Sequence, residues 1–501
     1  MTSDRPTRNR PRASHSRFSP PAVPRAERVY VNRNLRFSSV SAIGFDLDHT
    51  LAHYDPLPVE KLAFEATLDK LVTERNYPPE IRNFRYDPAY VIRGLVVDRD
   101  RGNVLKMDYF NFVARGFHGR QRLGTQARRE IYRAQKFHLA HTTHVSVDTL
   151  FHLPEVYLFM CLVEFLEQKE GRCDLDYSTV YGDVRAMIDR AHGDGAIKTP
   201  IVGSPEKFLR RDPLLAPTLE DFRRSGRKLF LLTNSELYYT DALMSYLLPP
   251  AETGRRNWRE FFDLIVVDAG KPGYFLSGAN HVQGLHPPDG PGAPRHLEEQ
   301  FGVPAYSGGD AAFLQKILDA AGDRVLYFGD HTYGDILRSK RSLGWRTAMI
   351  VPEVEAEVGV TGTIAEDLKQ LAALIDARDR VELRRAAAER EFRALALTDP
   401  GASEAKAARR RTRLEALRRN MGALREELAR HTSEIDVLGR KCSNAYNRHW
   451  GSVFREDNEI TRFGHQLKDF ACLYTSRVSN FLHYPSNFYF RSPVGLMPHE
   501  M

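Results

Sequence analysis

Short apolar runs, separated by longer stretches of mixed polarity, recur along the chain. The runs cover residues 41–45, 228–232, 263–267, 324–328 and 347–351. Patterns with the spacing of amphipathic helices, such as 236–248 and 334–343, lie between them. Runs of this length alternating with helices predict a doubly wound α/β fold, in which helices cover both faces of a parallel sheet. In such sheets ligands bind beyond the carboxyl ends of the strands.

The first two apolar runs are separated by far more chain than a crossover helix needs. We therefore expect the doubly wound core to comprise residues 29–54 and 226–360. A largely helical cap domain, residues 55–225, is expected to be inserted between these two parts. Residues 277–310 are rich in glycine and proline and predict a surface excursion.

The composition changes to Ala, Leu, Arg and Glu from about residue 365. Residues 361–440 predict a helical hairpin, because the Thr-Asp-Pro-Gly sequence at 398–401 interrupts the helical pattern. Residues 441–501 are expected to pack on the core. The second helix carries a coiled-coil seam with alternating spacings of three and four, formed by Leu414, Leu417, Met421, Leu424 and Leu428. This seam favours self-association, so we expect a homo-oligomer.

Composition narrows the class of protein. The chain has 501 residues of which 42% are hydrophobic, enough for a large buried core. No apolar run approaches the ~18 residues of a membrane helix, and the four cysteines include no CxxC pair. We therefore expect a cytoplasmic protein without a membrane segment. The net charge of +7 comes mostly from residues 1–28, a basic tail expected to be disordered, so no nucleic-acid partner is expected.

Two carboxylates, Asp46 and Asp48, follow the first apolar run. Carboxylates this close together repel each other unless a cation joins them, and Mg²⁺ prefers oxygen ligands. One carboxylate can attack phosphorus as a nucleophile, and the other can serve as general acid and then as general base. Taken alone, the pair is explained equally well by a solvent-facing turn.

Further polar residues follow three of the other apolar runs. Thr233 and Asn234 offer a hydroxyl and an amide to phosphate oxygens, Lys271 offers a positive charge, and Asp330 and Asp335 offer oxygen ligands. Each has a simpler explanation as a helix cap or a surface residue. Their conjunction, each after a strand and in this order, is not easily matched by chance.

The series Asp-x-Asp-x-Thr, Thr-Asn, Lys and Gly-Asp-x₄-Asp resembles the four signature motifs of the haloacid dehalogenase superfamily. The resemblance implies a nucleophile at Asp46 and a general acid/base at Asp48. It also implies a phosphate contact at Thr233 and an orienting role for Lys271. The implied cofactor is Mg²⁺, with Asp46, Asp48, Asp330 and Asp335 as its ligands.

A narrower resemblance is carried by residues 330–340, which are similar to the fourth motif of the cytosolic purine 5'-nucleotidases, enzymes that prefer IMP and GMP. Further matching segments are 150–155, 233–235, 239–241, 306–309 and 496–500. Together they span nearly the whole chain. The resemblance implies hydrolysis of purine nucleoside monophosphates through an aspartyl-phosphate. Because that intermediate is covalent, phosphotransfer to another nucleoside is a second hypothesis.

One face of a predicted helix carries Arg185, Asp189 and His192. The simpler explanation of this spacing is an exposed Arg–Asp ion pair with a histidine nearby. However, residues 183–198 resemble the purine-recognition segment of the same family. The implied base-binding set is Phe151, Arg185, Asp189, His192 and Lys198, with Phe151 stacking on the ring. An arginine and a protonatable histidine can address a 6-oxo group, whereas the 6-amino group of adenine is a donor and is disfavoured.

Four positions differ from the residues usual in that family, namely His49, Asp148, His152 and Gly193. The changes at His152 and Gly193 bear on base preference, and the change at Asp148 bears on activation by adenine nucleotides. Two rival functions are therefore retained. One is a phosphatase for another small phosphomonoester, and the other is a catalytically silent interaction protein that uses the coiled coil and the basic tail.

Overall fold

A computed structural model describes residues 23–132, 143–170, 175–276, 295–297, 303–397 and 403–493. Several sequence-based expectations lie wholly or mostly outside these ranges, namely the basic tail, the excursion at 277–310, the break at 398–401 and the motif at 496–500. Within the tail segment, residues Arg25–Glu27 form a short 3₁₀ turn.

Nine strands of the described chain form the central sheet. In sheet order they are Tyr30–Val31, Leu473–Thr475, Arg346–Ile350, Val325–Gly329, Ala42–Phe45, Lys228–Leu232, Leu264–Val267, Ala305–Ser307 and Arg295–Leu297. The seven inner strands are parallel, and each edge strand is antiparallel to its neighbour. The predicted doubly wound core is confirmed.

The strand Ala42–Phe45 lies in the middle of the sheet, and all four of its residues are buried. It pairs with Lys228–Leu232 on one side and with Val325–Gly329 on the other. Close packing requires glycine at position 44, because a Cβ there would lie 2.1 Å from the Phe230 ring. The carboxyl ends of these three strands therefore meet where the strand order reverses, the position at which α/β sheets bind ligands.

Two hydrophobic clusters lie on opposite faces of this sheet, one containing Ile43 and Phe45 and the other containing Ala42 and Phe230.

The helices of the core and of the segment after the hairpin are Leu237–Leu247, Pro250–Thr253, Ala311–Leu318, Arg338–Leu343, Glu353–Thr363 and Arg462–Phe470. Two further pairs of short strands are Leu35–Arg36 with Tyr489–Phe490, and Arg455–Glu456 with Glu459–Ile460.

The cap leaves the core at His53–Tyr54 and returns at Leu209–Arg210, and these two short strands pair with each other. Its helices are Pro56–Arg75, Thr125–Tyr132, His152–Glu170, Tyr177–Gly193 and Lys198–Gly203, and the helix Leu215–Arg224, which follows the return, packs in the core. The predicted inserted, largely helical cap is confirmed. It also contains an antiparallel sheet that the sequence analysis missed, in the order Gln121–Arg122, Val113–His118, Asn103–Met107, Val96–Asp98 and His144–Ser146.

The C-terminal segment contributes to both domains. Leu473–Thr475 adds a strand to the central sheet, and Trp450 is buried in the cap's own hydrophobic cluster with residues such as Phe64 and Leu162. The segment therefore contacts the core, where packing was expected, and also the cap.

Helices Ala365–Leu397 and Glu404–Tyr446 pack against each other, which confirms the predicted hairpin. Leu417 and Leu424 of the seam are buried, as are Val381 and Ala388 of the first helix. An ion pair between Arg413 and Glu391 joins the two helices. Because the seam is used within the chain, it is no longer a signal for self-association, and the homo-oligomer stays a prediction.

No helix in the described ranges combines the length and the apolarity needed to cross a membrane.

Candidate active site

Asp46 directly follows the central strand and is almost completely buried. Its N–H donates to the carbonyl of Phe328 over 2.9 Å, and its Oδ1 accepts from the N–H of Leu47 over 2.8 Å. The ammonium group of Lys271 lies 2.9 Å from the same Oδ1. Burial raises the pKa of Asp46, and the charge of Lys271 opposes that shift. The carboxylate is thus fixed at the strand end beside a cation, as a nucleophile requires.

Lys271 joins two of the strand ends. Its Nζ lies 2.9 Å from Asp46 Oδ1 and 2.8 Å from Asp335 Oδ1, and it donates to the hydroxyl of Tyr327 over 3.0 Å. Burial acts to lower the pKa of Lys271, but the carboxylates of Asp335 and Asp46 outweigh burial and raise it above its ordinary value. The lysine therefore stays charged and offsets the crowding of the carboxylates.

Asp330 follows the strand Val325–Gly329, and Asp335 lies on a π-helical turn, Thr332–Leu337. Glycine at 329 is required, because a Cβ there would lie 2.5 Å from the Cβ of Asp335. Burial, followed by the neighbouring carboxylates of Asp335 and Asp46, raises the pKa of Asp330 well above its ordinary value. Asp46, Asp330 and Asp335 each offer an oxygen within 4.8 Å of the other two.

A divalent cation fits this group of three carboxylates. Asp330 Oδ2 is buried and finds no hydrogen-bond partner in the described parts of the chain. A buried carboxylate oxygen without a partner is costly, and a cation between carboxylates removes that cost. A donor set made only of oxygens suits Mg²⁺. The cluster therefore has the chemistry of a site for a hard divalent cation.

Asp48, the fourth predicted ligand, has a different environment. Its Oδ1 accepts from the hydroxyl of Tyr54 over 2.5 Å, and its Oδ2 accepts from the hydroxyl of Ser235 over 2.6 Å. The Tyr54 hydroxyl lies 2.8 Å from that of Tyr239. Among the described residues, the Asp48 carboxylate is not part of the close group formed by the other three. Both of its oxygens are held by hydroxyl donors, which suits proton transfer better than metal ligation.

Thr233 and Asn234 follow the strand Lys228–Leu232. Thr233 is fully buried, and its hydroxyl accepts from the N–H of Ser235 over 3.1 Å. The Asn234 side chain accepts from the Lys271 N–H over 2.7 Å and donates to the Lys271 carbonyl over 3.0 Å. Asn234 therefore fixes the loop that carries the lysine. A contact of either residue with phosphate stays a prediction.

One cavity of about 440 Å³ is lined by most of the predicted site residues. At its carboxylate end these are Asp46, Asp48, Asn234, Lys271, Asp330 and Asp335, and at its cap end they are Phe151, Arg185, Asp189 and His192. The other lining residues, which were not in the predicted set, are Thr149, His152, Glu155, Ile188 and His331; of these, His152 had been connected with base preference. Of the predicted residues, Thr233 and Lys198 are not among the lining residues of the described chain.

At the cap end, Arg185 is held by two carboxylates. Its Nη1 donates to Glu155 Oε2 over 2.9 Å. Its Nη2 lies 2.8 Å from Asp189 Oδ1, and its Nε donates to Asp189 Oδ2 over 3.1 Å. The ion pair that the helical spacing predicted is present, and a second carboxylate from the neighbouring helix accompanies it.

Phe151 and His192 meet edge to face, with ring centroids 6.0 Å apart. Phe151 also contacts the ring of His49, 4.5 Å away, so the cap touches the loop that carries Asp48. His192 Nδ1 lies 2.8 Å from the carbonyl of Ile188, which can only accept, so Nδ1 carries a proton. Burial lowers the pKa of His192, and the neutral ring presents Nε2 as an acceptor. The protonated histidine considered from the sequence is therefore disfavoured.

Lys198 pairs with Glu236, which precedes the helix Leu237–Leu247, and lies 5.4 Å from the ring centroid of Tyr239. It is therefore engaged beside the cavity and not in its lining.

Several residues outside the predicted set hold the predicted site residues in place through hydrogen bonds. They are Tyr54, Ser235, Tyr239, Tyr327, Glu155 and Arg93. Arg93, from the cap, donates to the main-chain carbonyl of Asp330 over 3.1 Å. A tyrosine or a buried arginine carries no sequence signal of such a role, because the partner is distant along the chain. Glu155, Ser235 and Tyr239 lie in segments that resemble the purine 5'-nucleotidases, but the resemblance did not indicate their partners.

Comparison with known proteins places these residues in a family. The model of the 5' nucleotidase family matches residues 29–501. A 5'-nucleotidase domain-containing protein of Dictyostelium discoideum is 28% identical over 481 residues, which cover 94% of this chain and 74% of that protein. The 5'-nucleotidase domain-containing protein 2 of Rattus norvegicus is 28% identical over 487 residues, covering 94% of this chain and 80% of that protein.

Among solved structures, CbbY from Rhodobacter sphaeroides in complex with phosphate is 15% identical, with a TM-score of 0.22, and the match covers 62% of this chain and 86% of that one. The family model extends over nearly the whole chain and includes every residue of the carboxylate cluster. This chain therefore belongs to the 5' nucleotidase family, and it is a phosphoric monoester hydrolase.

Proposed function

We propose that this protein is a Mg²⁺-dependent 5'-nucleotidase that hydrolyses the purine nucleoside monophosphates IMP and GMP through an aspartyl-phosphate intermediate. The observation that carries the proposal is the single cavity lined by both the carboxylate cluster and the residues expected to bind a purine. A nucleotide requires both ends at once, since its phosphate and its base lie at opposite ends of one molecule. The volume of about 440 Å³ is within the range of small-molecule sites.

In the proposed reaction Asp46 attacks the phosphorus of the 5'-phosphate, and Asp48 gives its proton to the departing 5'-oxygen. Water then attacks the phosphorus of the aspartyl-phosphate and Asp48 accepts a proton from that water, while the bond from phosphorus to Asp46 breaks and releases inorganic phosphate and the Asp46 carboxylate. Lys271 fixes the orientation of Asp46 and carries positive charge beside the reacting phosphate. Tyr54 and Ser235 orient Asp48 for both proton transfers.

Mg²⁺ would be held by the carboxylates of Asp46, Asp330 and Asp335, where it would offset the negative charge of the phosphate. The unpartnered Oδ2 of Asp330 supports this assignment. We assign the Asp48 side chain to proton transfer and not to metal ligation, because hydroxyl groups already hold both of its oxygens.

For the base, Phe151 offers an aromatic surface on which a purine can stack. Arg185 is a donor that matches the 6-oxo group of hypoxanthine and guanine. The neutral His192 offers an acceptor at Nε2, and a 6-oxopurine has a ring N–H to donate. Adenine reverses the polarity of both edge positions, so we expect the site to disfavour AMP.

Phosphotransfer to a nucleoside is a second proposed activity. A covalent aspartyl-phosphate can be intercepted by any acceptor that occupies the same cavity, and a nucleoside would use the same cap-end residues. Labelled IMP should form when GMP and labelled inosine are supplied together. Release of inorganic phosphate alone would exclude the transfer.

The proposal is tested by phosphate release from IMP, GMP, AMP, UMP and p-nitrophenyl phosphate, each with Mg²⁺ and with EDTA. Magnesium-dependent release that is fastest for IMP and GMP is the expected result. Release without purine preference would favour a phosphatase for another small phosphomonoester. Absence of release from all five would favour the interaction protein with unused active-site motifs.

A further inference from the structure

Arg185 uses three of its five N–H groups within the protein. Two of them form a side-on pair with Asp189, and the third donates to Glu155. Within the described parts of the chain, the other two N–H groups, one on each terminal nitrogen, have no acceptor. Because Arg185 lines the cavity, these two donors are available to a ligand there.

The two carboxylates that hold Arg185 differ in their surroundings. The Asp189 side chain is 57% exposed and lies one turn away on the same helix. The Glu155 side chain is 1% exposed and comes from the neighbouring helix, His152–Glu170. Exposed ion pairs between residues i and i+4 are weak, so Asp189 alone does not hold a long, partly exposed side chain in one rotamer. The buried partner is the one that fixes it.

Both oxygens of Glu155 are already engaged. One accepts from the buried hydroxyl of Tyr181, and the other accepts from Arg185. Burial raises the pKa of Glu155, while Arg185 and the Tyr181 hydroxyl favour the charged form. With its acceptors occupied inside the protein, Glu155 influences a ligand through the position of Arg185.

We propose that Glu155 is a specificity-determining positioning residue, which holds Arg185 so that its two remaining N–H groups meet two acceptors on the base. This inference rests on the proposed function. The N7 and O6 atoms of guanine and hypoxanthine form such an acceptor pair, and arginine binds that pair in bidentate fashion. Adenine has an acceptor at N7 but a donor, the 6-amino group, in place of O6. One N–H of a fixed Arg185 would therefore point at another hydrogen-bond donor.

Three variants test this role. Glu155→Gln keeps the shape of the side chain and removes its charge. Tyr181→Phe removes one donor from Glu155 and leaves Arg185 untouched. Glu164→Gln is the matched control: Glu164 lies on the same helix as Glu155, pairs with Arg120 from outside that helix, and is not part of the cavity lining in the described chain. Phosphate release is measured with GMP, AMP and p-nitrophenyl phosphate, a substrate that has no purine.

For Glu155→Gln we expect kcat/KM for GMP to fall about tenfold, with little change in kcat/KM for AMP and p-nitrophenyl phosphate. The ratio of kcat/KM for GMP to that for AMP should therefore fall about tenfold. For Tyr181→Phe we expect a change of about threefold in the same direction, and for Glu164→Gln no change. Retained turnover of p-nitrophenyl phosphate reports that each variant is folded.

The outcomes separate the two proposals. A wild-type enzyme without purine preference would overturn the proposed function. A wild-type purine preference that survives unchanged in both Glu155→Gln and Tyr181→Phe would overturn the role of Glu155. An equal fall for GMP and p-nitrophenyl phosphate would also overturn it, because that result indicates a general structural defect.

Discussion

At the carboxylate end of the cavity, residues from neighbouring core strands meet, and Lys271 joins two of them through contacts of 2.8 and 2.9 Å. At the cap end, the side chains of Arg185 and Asp189, on one helix, are 43% and 57% exposed. The buried carboxylate of Glu155, on the neighbouring helix, pairs with Arg185. The first end is positioned by the strands of the sheet, and the second by side-chain contacts of Arg185, of which only the one with Glu155 is buried. Changes at the carboxylate end should therefore affect every substrate, and changes at the cap end should alter the choice among substrates.

The largest expected effect is that of Asp46→Asn. An amide cannot form the acyl-phosphate, so turnover of every substrate should fall by roughly 10⁴-fold or more, whatever its base. The amide matches the carboxylate in size, so the fold should be retained. Phosphate release and thermal unfolding by circular dichroism check the two parts. Asp469→Asn, at an exposed position, is the control, and substantial activity of Asp46→Asn would remove the nucleophile assignment.

Lys271→Met removes the positive charge that offsets the carboxylates at this end of the cavity, and it should lower the stability of the protein. It leaves Asp46 and Asp335 without their shared cation, and breaking a buried ion pair in this way costs about 3–5 kcal/mol of unfolding free energy. Mg²⁺ should recover much of this loss, because it also separates the carboxylates. Thermal unfolding with EDTA and with saturating Mg²⁺ measures both effects. An equal Mg²⁺ stabilisation of variant and wild type would argue against a metal at this cluster.

His152→Asn tests the effect on stability of a buried histidine in the cavity lining, a residue outside the predicted site set. Burial lowers the pKa of His152 to about 3, so the folded protein keeps it neutral while the unfolded chain binds a proton below about pH 6.5. Its contribution to stability is therefore lost as pH falls from 6.5 towards 3. Between pH 7.5 and 5.5 the wild type should lose about 1.4 kcal/mol more than His152→Asn. Urea unfolding at both pH values gives this difference, and identical losses would contradict it.

The smallest effect is expected for Lys198→Met. Lys198 pairs with the partly exposed Glu236 and does not belong to the cavity lining in the described ranges. An ion pair of this kind contributes roughly 0–1 kcal/mol to stability, and kcat/KM for GMP should change less than about twofold. A loss of tenfold or more, with normal turnover of p-nitrophenyl phosphate, would return Lys198 to the base-binding set.

The carboxylate end was largely predictable from the sequence. Each of its residues follows an apolar run, and parallel strands bring their carboxyl ends to one edge. Asp46, Lys271, Asp330 and Asp335 meet there as expected. Asp48 was harder to assign, because its partners Tyr54 and Ser235 lie on a cap-boundary strand and on another strand end, and no local pattern connects them.

The cap was predicted only in outline. Its antiparallel sheet was missed, because strands such as Asn103–Met107 are buried on both faces and show no alternation of polar and apolar residues. The seam of the hairpin was read correctly as a helix contact, but its partner proved to be the preceding helix of the same chain. A heptad pattern identifies a packing face and leaves open which helix covers it.

The sequence by itself determined the doubly wound core, the inserted cap, the hairpin and the order of the reactive residues, because strand and helix periodicity and strand-end chemistry are local. Tertiary structure decided which hydroxyls hold Asp48, which buried carboxylate holds Arg185, and that Lys198 lies outside the cavity. These outcomes depend on contacts between residues far apart in the chain, and only tertiary packing, of strand ends within the core and of helices within the cap, brings such residues within hydrogen-bonding distance.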